Sequence, residues 1–152
     1  MSIRTTIVVL LAAVSLGGFL NLPAHASEET IDQMIAKADA APAGERPALY
    51  IRIARQQAEA ADKLYQAGDA NGGKAALNNV VTYAGKASDA AASSGKKLKD
   101  TEIAVRKMAE KFRDVKHNLA FEDQAPVQQA IDRLEKIRTD LLAVMFGKKG
   151  RK

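Results

Sequence analysis

The sequence predicts an all-α fold: an up-and-down bundle of four long helices, arranged as two antiparallel hairpins and preceded by one short helix. Between its turn-like segments the chain is rich in Ala, Leu, Lys, Glu, Gln and Arg, which lose little free energy on entering a helix. In the C-terminal half, apolar residues recur at alternating spacings of three and four, which keeps one seam on one side of a helix. Short connections between such helices favour antiparallel neighbours.

The short first helix is expected over residues 28–40. Thr30 and Gln33 have the spacing of a capping box, in which each side chain bonds to the backbone N–H of the other residue. The segment 41–47 contains prolines and a glycine, which interrupt helices. This break separates the short helix from the four long ones.

The second helix should begin at Pro47, whose missing N–H would have no partner in the first turn, and end just before Gly68. The third should begin after Asp69 as N-cap and end at the Ser-Ser-Gly break at 93–95. Small residues dominate the buried face predicted for this hairpin, so its two axes can approach closely. That face comprises Tyr50, Ala54, Ala58, Ala61 and Tyr65 on the second helix, and Ala76, Leu77, Val80, Ala84, Ala87 and Ala91 on the third.

The second hairpin has larger apolar side chains and a more regular seam. Residues 122–126 should connect its two helices, and the fifth helix should end before Gly147. The seam comprises Leu98, Thr101, Val105, Met108, Phe112, Val115 and Leu119 on the fourth helix, and Val127, Ala130, Leu134, Ile137, Leu141 and Val144 on the fifth. We therefore expect residues 27–146 to form a single helical bundle domain.

Residues 1–26 have the pattern of a cleaved secretory signal peptide. One cation, Arg4, precedes an apolar stretch over residues 7–20, and Ala-His-Ala at 24–26 provides small residues at the −3 and −1 positions. A bilayer-spanning helix needs about 20 apolar residues, and an uncleaved N-terminal anchor is the alternative. The chain contains no cysteine, so it has no lipoprotein attachment site, disulfide or thiolate ligand. We expect a periplasmic or secreted protein that is not a lipoprotein.

The net charge of +5 belongs to the two ends of the chain. Of the 23 Lys and Arg, Arg4 lies in the signal peptide and four lie in residues 147–152, and the remaining 18 balance the 18 Asp and Glu. A nucleic-acid-binding domain would gather its cations on one face, and export also argues against that partner. Residues 147–152 are predicted to be a solvated, disordered basic tail, and weak contact with an anionic membrane or wall polymer is the alternative. Its cations are Lys148, Lys149, Arg151 and Lys152.

The two hairpins align with each other at an offset of 54 residues, which places Asp69 on Asp123 and Tyr65 on Leu119. Duplication and the general likeness of amphipathic hairpins both account for this alignment. The turn Leu-Tyr-Gln-Ala-Gly-Asp at 64–69 resembles the mid-repeat turn of tetratricopeptide proteins. The resemblance covers about one repeat, and the period of about 34 residues, the tryptophan and the closing proline are absent. It would imply a concave groove that binds an extended peptide or a helix.

Two short patterns are similar to catalytic motifs but lack their context. Residues 68–75 fall one residue short of a phosphate-binding P-loop, because Ala75 lacks the hydroxyl that holds magnesium and the preceding segment is predicted to be helical. The Ser-x-x-Lys spacings at 93–96 and 94–97 resemble the nucleophile motif of penicillin-recognising enzymes, but the Ser-Asp-Asn and Lys-Thr-Gly elements are absent. We interpret both patterns as helix ends, and we predict no catalytic residues.

His117 is the one histidine that remains after removal of residues 1–26. A haem-binding bundle, which would resemble the small exported b-type cytochromes in size and helix number, would use it as a ligand with Met34, Met108 or Met145. However, His117 lies two residues from the nearest seam position on either side and therefore points away from the seam. We predict a surface histidine and assign no cofactor or metal, with a haem- or metal-binding bundle as the alternative.

The predicted function is binding without catalysis. The expected protein is an exported scaffold or adaptor of the periplasm or cell envelope, with a protein or envelope partner that the sequence does not identify. Two surfaces are candidates for that contact: the basic tail and the alanine-lined first hairpin, whose thin core is expected to leave a groove.

Overall fold

The computed structural model describes residues 29–147, and every regular element in this range is helical. Four long helices pack against one another and one short helix precedes them, which confirms the predicted fold class. A 3-10 turn at Phe121–Asp123 precedes the last helix. The helices are α1 (Ile31–Ala40), α2 (Arg46–Gln66), α3 (Ala70–Ser94), α4 (Leu98–His117) and α5 (Gln124–Gly147). The predicted signal peptide and the four tail cations lie outside the described residues.

The capping box at the start of α1 forms as the sequence predicts. The backbone N–H of Thr30 donates to Oε1 of Gln33 at 2.9 Å, and the N–H of Gln33 donates to Oγ1 of Thr30 at 3.3 Å. Because an N-cap residue lies outside the helix that it caps, α1 begins at Ile31 and not at residue 28. Met34 and Ala38 are the buried residues of this helix, which packs on α2.

Glycine and aspartate set the ends of the long helices. Gly68 and Gly95 adopt left-handed φ values of 79° and 67°, which suit glycine because it lacks a Cβ. Oδ1 of Asp69 accepts a hydrogen bond from the N–H of Gly72 at 2.8 Å and caps α3. The predicted end of the last helix is wrong by one residue, because α5 includes Gly147. A glycine weakens a helix interior but fits its last turn.

Contacts between the hairpins fix their relative direction. Nζ of Lys111 lies 3.1 Å from Oδ2 of Asp62, so the C-terminal half of α2 lies beside the C-terminal half of α4. The two helices therefore run parallel. The connections 67–69 and 118–123 meet at one end of the bundle, which we call the turn end. The α1–α2 connection, the α3–α4 connection and the last turn of α5 lie at the opposite end.

The alanines predicted for the buried face of the first hairpin are packed and line no groove along its length, contrary to the sequence-based expectation. Every residue predicted for its buried face is buried, and Ala54, Ala61, Ala84, Ala87 and Ala91 are fully inaccessible. Small side chains let the axes of α2 and α3 come together until the space between them is filled. Clefts of the described structure open beside α1, between α3 and α5, between α2 and α4 at the turn end, and between α2 and α3 at the opposite end of the first hairpin.

The second hairpin supplies the large side chains of the core. Phe112, Leu134 and Leu141 are fully buried, whereas four other residues of the predicted seam are partly exposed: Leu98, Leu119, Ile137 and Val144. The sequence did not predict burial of Ile51 and Ile53 on α2. They are buried because α1, α3 and α4 all pack against this helix, which leaves it little free surface.

Candidate binding surfaces

His117 lies at the C-terminal end of α4 with an exposed side chain, as its spacing predicts. Met108 lies earlier on the same helix, about 14 Å away along the helix axis at a rise of about 1.5 Å per residue. The two side chains therefore cannot bind one haem iron. Met34 is buried against α2, and Met145 lies in the last turn of α5 at the other end of the bundle. Within residues 29–147, no group of three or more His, Asp or Glu side chains could hold a metal ion.

The two motif-like segments are helix ends in the structure. The P-loop-like residues 68–75 follow helix α2 instead of a strand, and they form a left-handed turn and the capped first turns of α3. The hydroxyls of Ser93 and Ser94 donate to the carbonyl oxygens of Asp89 and Ala90, each at 2.7 Å. Such bonds to the preceding turn are ordinary for serine in a helix.

Glu102 is the buried carboxylate of the described region, and it is neutralised by arginine. Nε of Arg138 donates to its Oε1 at 2.8 Å, and Nε of Arg106 lies 3.9 Å from the same oxygen. The hydrogen bond to Glu102 raises the pKa of Arg138. The hydrogen bond between Arg138 and Glu102 joins α5 to α4, and the two guanidinium groups place positive charge beside the buried carboxyl group.

Three lysines gather at the end of the bundle opposite the turn end. Lys96 and Lys97 lie in the α3–α4 connection and Lys99 in the first turn of α4, all with exposed side chains. Lys97 has an ion pair, with Asp100 at 3.4 Å. Lys96 and Lys99 have no carboxylate within 4.0 Å in the described part of the chain. We call these three lysines the basic end.

The last turn of α5 lies beside the basic end. The hydrogen bonds from Arg138 to Glu102 and from Lys116 to Gln128 show that α5 runs antiparallel to α4, so its last residues are level with the start of α4. Phe146 is 61% exposed in this turn, and the chain continues from it into the basic tail. The sequence could not indicate that the last turn of α5 and the three lysines share one end of the bundle, because this depends on the direction of two helices.

The turn end differs from the basic end in its charge and its surface. Phe121 is 88% exposed on the 3-10 turn, where Glu122 and Asp123 flank it. A cleft of about 370 Å³ between α2 and α4 opens nearby, lined in part by Tyr65 and Val115. The Tyr65 hydroxyl is buried without a hydrogen-bond partner, and burial raises its pKa.

An aromatic cluster that sequence reasoning missed lies on the first hairpin. The rings of Tyr50 and Tyr83 stack with centroids 6.4 Å apart, and the ammonium of Lys86 lies 5.5 Å from both centroids. The Tyr50 hydroxyl donates to Oδ1 of Asp39 on α1 at 2.6 Å. This hydrogen bond and burial raise the pKa of Tyr50. The cluster links α1 to the bundle, and Tyr50 and Lys86 form part of the wall of a cleft between α2 and α3.

Scans against protein-family models, curated proteins and solved structures find no match for this chain. None of the helices within residues 29–147 combines the length and the apolar character needed to cross a membrane.

Proposed function

We propose that this chain is an exported, non-catalytic binding protein of the periplasm or cell envelope that docks on an anionic lipid surface. Residues 1–26 are the signal peptide that directs export, and the helical bundle carries the docking surface. One observation carries the proposal: the fold brings Lys96, Lys97 and Lys99 to the place where α5 leads into the basic tail.

The charge of this surface favours an anionic partner. Between the signal peptide and the tail the chain has equal numbers of cations and anions, so a cluster of lysines at one end is a departure from its average. A cation near an anionic bilayer contributes about 1 kcal/mol. Three lysines of the folded domain and four tail cations would together suffice for reversible binding, even with Asp100 offsetting part of the charge.

Phe146 favours lipid over a polyanionic wall polymer. An aromatic side chain gains free energy by entering the boundary between headgroups and acyl chains, and a hydrophilic polymer has no such apolar layer. Phe146 is exposed in the last turn of α5, at the same end of the bundle as the lysines.

Sedimentation of the purified, exported chain with phospholipid vesicles tests this proposal. We expect binding to vesicles that contain phosphatidylglycerol, loss of binding in phosphatidylcholine vesicles, and weaker binding at high salt because exposed charges are screened. Truncation after Gly147 should weaken binding most. Phe146→Ser should weaken it about ten- to a hundredfold, since burial of a Phe side chain contributes about 1.5–3 kcal/mol.

Two results would contradict the proposal. One is equal binding to both kinds of vesicle. The other is binding to isolated anionic wall polymer with an affinity that Phe146→Ser leaves unchanged. As a matched control, Phe121→Ser removes an exposed aromatic side chain at the turn end and should leave vesicle binding unaltered.

A further inference from the structure

A small cleft lies between α2, α3 and the α1–α2 connection, with a volume of about 290 Å³. Ligand pockets for drug-sized molecules have volumes of about 300–1,000 Å³, so an occupant of this cleft would be smaller. Its walls combine aromatic, small apolar and charged side chains. The residues that line it include Ala43, Arg46, Tyr50, Lys86, Asp89 and Ala90.

Two opposite charges face this cleft at the same level without pairing. Arg46 lies one turn before Tyr50 on α2, Asp89 lies one turn after Lys86 on α3, and Lys86 contacts the Tyr50 ring. Arg46 and Asp89 are therefore level on two antiparallel helices. In the described region, neither has an oppositely charged group within 4.0 Å.

Other contacts hold the two cations of the cleft in place. Nε of Arg46 donates to the carbonyl oxygen of Ala41 at 2.8 Å, which orients the guanidinium while leaving its terminal nitrogens for an acceptor. The ammonium of Lys86 lies over the rings of Tyr50 and Tyr83 and not beside Asp89, three residues later in α3. Both cations are thus placed before any ligand arrives, which reduces the cost of binding.

We propose that this cleft binds a zwitterionic α-amino acid with an apolar side chain. The terminal nitrogens of Arg46 form the planar fork that suits a carboxylate, and Lys86 adds positive charge beside it. The Asp89 carboxylate accepts hydrogen bonds from the ammonium group of the ligand. Tyr50, Ala43 and Ala90 contact its apolar side chain. An amino acid satisfies all of these groups, whereas a simple anion would leave Asp89 facing like charge.

Titration of the isotope-labelled chain with amino acids, followed by backbone amide NMR, tests this inference independently of lipid docking. We expect L-leucine and L-phenylalanine to cause saturable shifts confined to residues near 43–50 and 86–93. Leucinamide, which lacks the carboxylate, and 4-methylpentanoate, which lacks the ammonium, should each bind about tenfold or more weakly, because each loses a charge-assisted contact.

Substitutions separate this site from general charge effects. Arg46→Gln and Asp89→Asn should each weaken leucine binding about tenfold or more while circular dichroism stays unchanged. Arg55→Gln, an exposed arginine of α2 that does not line the cleft, should bind leucine as the unaltered chain does. The inference fails if neither amino acid causes saturable shifts. It also fails if either analogue binds as tightly as leucine, or if Arg46→Gln and Asp89→Asn leave binding unchanged.

Discussion

In the first hairpin α2 and α3 meet through alanines, whereas in the second α4 and α5 meet through Phe, Leu and Val side chains. Both interfaces are closely packed. The exposed fraction is at most 3% for Ala58 and Ala84 in the first hairpin and for Val105 and Leu134 in the second. The close approach of the first pair compensates for its small side chains. The second hairpin should therefore be most sensitive to loss of side-chain volume, and the first hairpin to added volume.

The largest loss of stability is expected for Phe112→Ala in the second hairpin. Phe112 is fully buried, and such truncations cost about 3–5 kcal/mol of unfolding free energy, because they remove apolar contact and leave a cavity. Urea unfolding followed by circular dichroism measures the change. Phe121→Ala, which truncates an 88% exposed ring, should stay within about 0.5 kcal/mol. Similar losses for the two variants would contradict this assignment of the core.

The first hairpin should be destabilised by added volume, and two glycines of α3 provide a matched test. A Cβ on Gly73 would lie 2.7 Å from the Tyr65 ring, whereas a Cβ on Gly85 would meet no atom within 4 Å. Gly85→Ala should therefore stabilise the chain by about 0.5–1 kcal/mol through helix propensity.

Gly73→Ala should instead destabilise the chain, because the cost of overpacking, about 1–3 kcal/mol, exceeds that gain in helix propensity. Thermal unfolding of both variants compares the signs directly. If Gly73→Ala raised the stability as much as Gly85→Ala, the close packing of α3 against Tyr65 would be wrong.

The two hairpins should also differ, by a smaller amount, in how their contribution to stability depends on pH. The reason is that all three tyrosines belong to the first hairpin. The hydrogen bond to Asp39 raises the pKa of Tyr50, and burial raises those of Tyr65 and Tyr83. A tyrosine whose pKa is higher in the folded state than in the unfolded state stabilises the fold. This stabilisation is fully present below the pKa of the unfolded state, about 10, and it is lost as the pH rises through the pKa of the folded state.

Unfolding free energies between about pH 8 and pH 11 should therefore fall with rising pH. The triple variant Tyr50→Phe, Tyr65→Phe and Tyr83→Phe should show a smaller fall, because it lacks the titrating hydroxyls. An equal fall in both proteins would show that the alkaline sensitivity does not come from the three tyrosines.

The sequence predicted features that depend on neighbours along the chain. The Thr30 capping box, the Gly68 turn and the Asp69 cap follow from local backbone chemistry, and the buried faces follow from helical periodicity. It failed where two helices must be placed together. The closed alanine interface and the stacking of Tyr50 on Tyr83 depend on interaxial distance and register, which no spacing within one helix encodes.

The same reason explains why the candidate surfaces were only partly predicted. The basic tail is visible in the sequence, but the pairing that brings the last turn of α5 to the end of the bundle with Lys96 and Lys99 is not. Likewise, Arg46 and Asp89 are far apart along the chain and become level only through the pairing of α2 with α3.

Vesicle binding by two charge-matched triple variants tests the central proposal most directly. One variant carries Lys96→Gln, Lys97→Gln and Lys99→Gln at the basic end. The other carries Lys63→Gln, Lys74→Gln and Lys107→Gln, which are exposed lysines elsewhere on the bundle without a carboxylate within 4.0 Å in the described region.

At about 1 kcal/mol for each cation, the basic-end variant should bind vesicles that contain phosphatidylglycerol on the order of a hundredfold more weakly than the unaltered chain. The second variant has the same net charge but should bind nearly as well as the unaltered chain, because its substitutions lie away from the docking surface. Equal weakening in the two variants would contradict a defined docking end and would leave only an effect of net charge.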